Sequence, residues 1–243
     1  LEEIIVPKLD LKTKKEQRGV KQVRNNLAVV VSEGQRLTKL INDVLDISKM
    51  EAGKLEWKFQ RIQTSEILNK IIDVYKPKIE EKGLQFVTDI PSDLPELIAD
   101  PVRIEQILDN ILSNSLKFTD NGRIQLSAHK KKETLLLSIK DTGIGIEEHD
   151  QSKIFQKYQQ VGDVLTDKPT GAGLGLPITR EVVDSHGGKL SVKSIVDVGT
   201  VFEIQLPLPV SEQKKSKEIP LSDIITQWKQ IDLDSFDESN KSI

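Results

Sequence analysis

The chain has 243 residues, a formal net charge of −3, a hydrophobic share of 37% and a charged share of 30%, which is enough for a buried core and more than one domain. So small a net charge supplies no broad basic field to recruit nucleic acid or an anionic membrane surface. The absence of cysteine excludes disulfides, thiolate metal sites and cysteine nucleophiles, and no secretory leader or bilayer-spanning apolar run is read in the sequence.

Taken in chain order, residues 1–6 read as the tail of a helix, and Pro7 with the charged stretch 12–18 as a connection. A long helix follows. Its residues Val23, Leu27, Val30, Gly34, Leu37, Ile41, Val44 and Ser48 recur in steps of four and three, a heptad-like seam. Such a seam fits pairing with a second helix or packing on the chain's own domain. Gly53 stops this helix. Residues 54–61 alternate apolar Leu55, Trp57 and Phe59 with polar neighbours, the pattern of a strand. Thr64 and Ser65 are candidate caps for a helix to about residue 82, closed by Gly83. Short strands are expected at 84–90 and 97–99, and Asp100-Pro101 provides a cap and a first-turn proline for the next helix. Hairpins are expected over 123–141 and 189–206, with a helix over 177–185 between them that Gly187-Gly188 ends. This order predicts an α+β protein: an α/β sandwich with a mixed sheet and helices on one face, preceded by the long helix. After Pro209 the sequence is charged and serine-rich, a tail or linker whose apolar residues Ile224, Ile225 and Trp228 could form a docking helix.

The helix from Pro101 carries an apolar stripe, Ile104, Ile107, Leu108, Ile111, Leu112 and Ser115, as a core-facing helix does. Asn110, Asn114 and Lys117 fall on the neighbouring stripe. An asparagine carbonyl is a hard oxygen ligand suited to Mg²⁺, which takes few protein ligands when phosphates supply the rest; Lys117 would meet a phosphate. Asp141 closes a strongly apolar strand and precedes Thr142-Gly143-Ile144-Gly145. A carboxylate there can accept the exocyclic amine of adenine, and the glycines let the ring approach the backbone. Residues 156–170, rich in charge and turn formers, lead into Gly171-Ala172-Gly173-Leu174-Gly175-Leu176. That arrangement reads as a lid hinged on glycines, with amides facing phosphates at a helix start. No Gly-Lys-Ser/Thr follows the glycines, so this is not a P-loop. No strand leads into them within a βαβ unit, so it is not a dinucleotide fingerprint.

These ordered motifs resemble those of sensor histidine kinases. Residues 109–119 resemble that family's N box, 141–145 its first glycine box, Phe155 its F box, 171–176 its second glycine box, and Gly199-Thr200 the short element before its last strand. Ser185-His186-Gly187-Gly188 sits where the family has a similar turn, and residues 37–53 are similar to the second helix of its dimerisation and phosphotransfer domain. The resemblance covers about residues 20–208. It implies residues 1–52 as part of a dimeric four-helix bundle, 53–209 as an ATP-binding catalytic domain and 210–243 as a tail. It further implies ATP and Mg²⁺ as ligands: Asp141 with Thr200 nearby for adenine, Asn114 and Asn110 for the metal, and Lys117 with Gly171, Gly173, Leu174, Gly175 and Leu176 for the phosphates. Gly143 and Gly145 would line the base, and Phe155 would anchor the lid. The implied partners are a second copy of the chain, through the bundle, and a response-regulator receiver domain. The implied location is cytoplasmic, alone or as the soluble part of a membrane-anchored sensor.

Ser115, Ala172 and Pro177 stand where the family commonly has alanine, threonine and alanine. One departure is larger. The family transfers phosphate to a histidine within a His-Glu/Asp-x-x-Thr/Asn/Gln-Pro pattern, whereas His129, His149 and His186 all lie outside such a pattern. Spacing puts the acceptor helix just upstream of Leu1. Two other readings follow: a degenerate, non-catalytic dimeric signalling module, and a gyrase- or chaperone-type ATPase. The second needs a water-activating carboxylate near Asn110, for which Asp109 is a poor substitute.

Overall fold

The computed structural model describes residues 14–159 and 173–209. The expectations for residues 1–7, for most of the segment leading into Gly171 and Ala172, and for the tail from residue 210 lie outside these, while residues 14–18, expected in a connection, are already helical. Helix α1 runs from Lys14 to Glu51, ended as expected by Gly53 in the left-handed region, φ 62°. The Lys54 amide donates to the Lys49 carbonyl and that of Gly53 to Met50, so the glycine closes the last turn. Seam residues Val23, Leu27, Val30, Leu37, Ile41 and Val44 are all exposed. The face of α1 turned to the rest of the protein instead carries Asp43, Asp46, Ile47 and Met50, at i, i+3, i+4 and i+7, with Lys39 and Glu51 bonded to Asp109 and Lys157 beside it. Among the described residues, no helix is long and apolar enough to cross a membrane.

Strand β1 (Gln60–Gln63) pairs antiparallel with β3 (Glu96–Ala99), and helix α2 (Thr64–Glu81) leads from the first towards β2 (Gln85–Asp89). Two local expectations are corrected here. Residues 54–59 are not a strand, because β3 ends at Ala99, opposite Gln60, and Asp100 already caps the following helix. The Lys58 amide donates to the Asp100 carboxylate instead, at 3.0 Å. The N-cap of α2 is Gln63, with no side-chain cap. Thr64 lies one position inside, and its hydroxyl donates to the Pro95 carbonyl at 2.6 Å.

Helix α3 (Pro101–Phe118), strands β4 (Arg123–Lys131) and β5 (Thr134–Asp141), helix α4 (Gly175–Ser185), and strands β6 (Lys189–Ile195) and β7 (Gly199–Pro207) complete the described fold. The main sheet has five strands in the order β2-β4-β5-β7-β6. Only β2 and β4 are parallel; β4–β5 and β6–β7 are the expected hairpins. Along β5, Leu135, Leu137 and Ile139 are buried, and along β7 Phe202, Ile204 and Leu206. These alternate with less buried residues on the opposite face, polar but for Leu136 and Val201, so one face of the sheet is core. The buried stripes of α2, α3 and α4 complete that core, giving the expected α/β sandwich.

Candidate functional site

Helix α3 starts where the sequence placed it. The Asp100 carboxylate accepts from the amides of Val102 (3.1 Å) and Arg103 (3.4 Å), and Pro101 needs no amide partner in the first turn. Ile104, Ile107, Leu108, Ile111, Leu112 and Ser115 are buried as expected. Asn110 is also buried, and its amide nitrogen donates to the Gly175 carbonyl at 3.0 Å. Thr179 donates to that same carbonyl at 2.9 Å. Asn110 thus ties α3 to the first turn of α4, at the end of the glycine loop. One turn on, Asn114 is half-buried, while Lys117 is exposed with its ammonium 4.4 Å above the Phe118 ring.

Asp141, 6% exposed, pairs in register with Thr200 at the end of β5. One carboxylate oxygen accepts from the amides of Gly143 (3.0 Å) and Thr200 (3.2 Å). The other accepts from the Ser115 hydroxyl at 2.9 Å. A carboxylate offers about four lone-pair directions, so this one is held on three sides with one acceptor direction left. The Thr200 hydroxyl lies 2.8 Å from that of Ser194, which accepts from the Ile146 amide (2.8 Å) and donates to the Gly199 carbonyl (3.0 Å). Ser115 and Ser194 were not read from the sequence as site residues. A serine on an otherwise apolar, core-facing stripe was the available signal for the first, since a buried hydroxyl requires a partner.

The glycines around Asp141 are fixed by their neighbours in the chain. A Cβ on Gly143 would lie 2.3 Å from the Phe118 carbonyl oxygen, and one on Gly145 (φ 73°) 2.2 Å from that of Ile195. The first reason for glycine at both positions is therefore close passage of backbone segments. Phe155 is buried, 6.5 Å edge-on from Phe202, with the Arg180 guanidinium 4.1 Å above its ring. Leu174 is buried and Leu176 half-buried against the core. Gly173, φ 66°, accepts at its carbonyl from the Tyr158 amide at 3.2 Å. The described residues thus bring Asn110 to Gly175 where α3 meets the start of α4, and Asp141 to Ser115, Gly143 and Thr200 at the end of β5, with Asn114 one turn beyond Asn110 on α3, whereas Gly171 lies outside them.

Asp109 points elsewhere. It accepts from Lys39 of α1 at 2.7 Å and from the Tyr75 hydroxyl of α2 at 2.6 Å. Burial pushes its carboxyl up, but the bonds from Lys39 and Tyr75 outweigh this and hold it below the usual carboxylate range. A proton-accepting group for water would need the opposite shift, which counts against the gyrase-type reading. Asp46 is likewise held low: burial raises it and the hydrogen bonds from Arg103 and Gln106 more than reverse this.

Residues 99–210 match the family described as histidine kinase-, DNA gyrase B- and HSP90-like ATPases. The chain is 36% identical over 194 residues to the signal transduction histidine-protein kinase BarA of Escherichia coli (strain K12), covering 77% of this chain and 21% of that protein. It is 37% identical over 195 residues to the autoinducer 2 sensor kinase/phosphatase LuxQ of Vibrio cholerae, covering 78% and 23%. The chain therefore spans about a fifth of the length of these curated relatives. Among solved structures, full-length ShkA in complex with AMPPNP is similar at a TM-score of 0.67 and 28% identity, over 77% of this chain and 39% of that one.

Proposed function

We propose that this chain, whose residues 99–210 belong to the histidine kinase-, DNA gyrase B- and HSP90-like ATPase family, is the ATP-binding kinase core of a sensor histidine kinase. It would bind ATP with Mg²⁺ and pass the γ-phosphoryl group to a histidine on a helix packed beside α1, for relay to a receiver-domain aspartate. The carrying observation is the Asp141 carboxylate, locked by Ser115, Gly143 and Thr200 with one acceptor direction to spare. That direction suits one N–H of the adenine amine and disfavours the 6-oxo group of guanine.

The donor chemistry suits Mg²⁺ as well. Among the described residues no cluster of three or more His, Cys, Asp or Glu could hold a metal. The ion would rest on the Asn114 carbonyl, with Asn110 beside it, and on phosphate oxygens, the sparse protein coordination Mg²⁺ accepts. Bound there, it would neutralise phosphate charge. Lys117 and the residues Gly171 to Leu176 would hold the phosphates, Phe155 would anchor the segment before them, and the exposed seam of α1 would pair with a second copy. The attacking group would be the acceptor histidine's imidazole nitrogen and the leaving group ADP, and this chain's own share of catalysis would be positioning and electrostatics.

The test adds the chain and labelled ATP to a separate fragment bearing the upstream helix. Acid-labile, base-stable phosphate on that fragment is the expected outcome. Tight nucleotide binding without such phosphate removes the kinase reading and leaves the non-catalytic signalling module.

A further inference from the structure

The segment that leaves α1 does not hang free before the sandwich. The Lys58 amide donates to one oxygen of Asp100, whose other oxygen caps α3. The Asp100 amide in turn donates to Nε2 of His186 at 3.0 Å, just beyond the end of α4. His186 is 8% exposed, and its Nδ1 lies 2.7 Å from the Val182 carbonyl. The partners fix the ring's state. A carbonyl can only accept, so Nδ1 carries the proton; an amide can only donate, so Nε2 is bare. Over this neutral ring pack Phe59, centroids 4.8 Å apart, and Trp57, edge-on at 5.6 Å.

We propose that Asp100 and His186 are positioning residues that clasp residues 57–59 to the start of α3 and the end of α4, confining the hinge between α1 and the sandwich to residues 52–56. Three elements meet in the clasp: the connecting segment, the first turn of α3 and the last turn of α4. Before it the amides of Ala52, Gly53 and Lys54 bond only back to Ser48, Met50 and Lys49 of α1 itself. Gly53 sits at φ 62° with nothing within 4 Å of a Cβ built there, and residues 52–54 are exposed. A short hinge restricts the directions in which the sandwich swings about the end of α1. The restriction bears on phosphoryl transfer only if the kinase reading holds; the clasp itself does not depend on that reading.

Limited trypsin digestion of the whole chain reads the hinge directly, because Lys54 lies before the clasp and Lys58 within it. In the native protein, cleavage after Lys54 precedes cleavage after Lys58. Asp100→Asn keeps one oxygen for the α3 cap, where asparagine serves as well as aspartate, and it loses the acceptor for Lys58. It should raise the cleavage rate at Lys58 by about tenfold or more, the loss expected for one hydrogen bond to a carboxylate. His186→Ala, which does not touch Lys58, should do the same, and His186→Gln, whose amide oxygen can replace Nε2, should restore the native order. Should His186→Ala unfold the chain, seen as cleavage at Lys193 inside β6, the Asp100→Asn and His186→Gln arms still decide. Unchanged protection of Lys58 in Asp100→Asn, or a His186→Gln variant no better protected than Asp100→Asn, overturns the clasp. Binding of a non-hydrolysable Mg–ATP analogue is measured alongside: its absence from the native chain refutes the kinase reading and leaves the digestion result standing.

Discussion

Replacing Asp141 by asparagine tests the proposed recognition of adenine apart from the stability of the fold. The remaining carbonyl oxygen can keep the bonds from the Gly143 and Thr200 amides, at 3.0 and 3.2 Å in the native protein. The new amide nitrogen then stands where the second oxygen was, opposite Ser115, whose hydroxyl can turn and accept instead of donating. The protein should lose only about 1 kcal/mol of stability, the difference between charged and neutral hydrogen bonds. A bound adenine amine, by contrast, would face a donor where it needs an acceptor. Losing a hydrogen bond to a charged group is worth about 1.5–3 kcal/mol, or roughly 10- to 150-fold in Kd. Calorimetric titration with a non-hydrolysable Mg–ATP analogue measures this, with the melting temperature as the control. The 6-oxo analogue of the same nucleotide should gain in relative affinity, because its carbonyl can accept from the new amide. An Asp141→Asn protein that binds the adenine nucleotide within twofold of the native chain would refute the assignment.

Gly143→Ala should cost about 1–3 kcal/mol, seen as a lower melting temperature, because its Cβ would lie 2.3 Å from a backbone oxygen that cannot move aside. Arg103→Ala removes the two-pronged partner of Asp46, with both side chains 16% exposed. Breaking a fully buried pair costs about 3–5 kcal/mol, and the partial exposure here reduces this to about 1–3 kcal/mol, measurable by urea unfolding. His186 gives a pH signature. Burial holds its pKa below the ordinary value, outweighing the Val182 carbonyl and the Asp100 carboxylate that favour protonation. Below about pH 6.5 the unfolded chain takes up a proton that the folded chain resists, so stability falls as pH drops through that value and the loss levels off below the folded-state pKa. As the pH drops through about 6.5, the urea midpoint of the native protein should fall relative to that of His186→Gln, which carries no titrating group there; parallel curves would refute the neutral, buried ring.

What the sequence disclosed and what it hid divide along the range of the interactions concerned. The start of α3 was legible because Asp100 and Pro101 act within one turn, and the β4–β5 and β6–β7 hairpins because alternation and turn residues are local signals. The α2 cap was misassigned to Thr64 because its hydroxyl is drawn to Pro95, 31 residues away. Residues 54–61 alternate like a strand, yet only Gln60 and Arg61 found a ladder partner, since that length was set by the other strand. In the site, glycines at 143 and 145 were legible as a turn, but their cause is contact with Phe118 and Ile195, which no local pattern encodes. On α1, Asp43, Asp46, Ile47 and Met50 are as periodic as the seam but mixed in polarity, so apolar patterning alone does not mark them.

Helix α3 shows why a polar residue there cannot be assigned from its spacing alone. About 100° separates successive residues, so an 18-residue helix can serve several neighbours at once. One stripe, Ile104 to Ser115, fills the core and ends on the Asp141 carboxylate. A second, Arg103, Gln106 and Asp109, bonds to Asp46 and Lys39 of α1. The third holds Asn110, Asn114 and Lys117. Asp109 and Asn110 are adjacent in sequence, yet the first is bound to α1 and α2 and the second to α4. The core stripe is fully buried over Leu108, Ile111 and Leu112, so α3 resists twisting about its axis, and displacement of one polar stripe moves the other with it. The stripe proposed to meet the nucleotide and the α1 contact are in that sense two faces of one rigid rod.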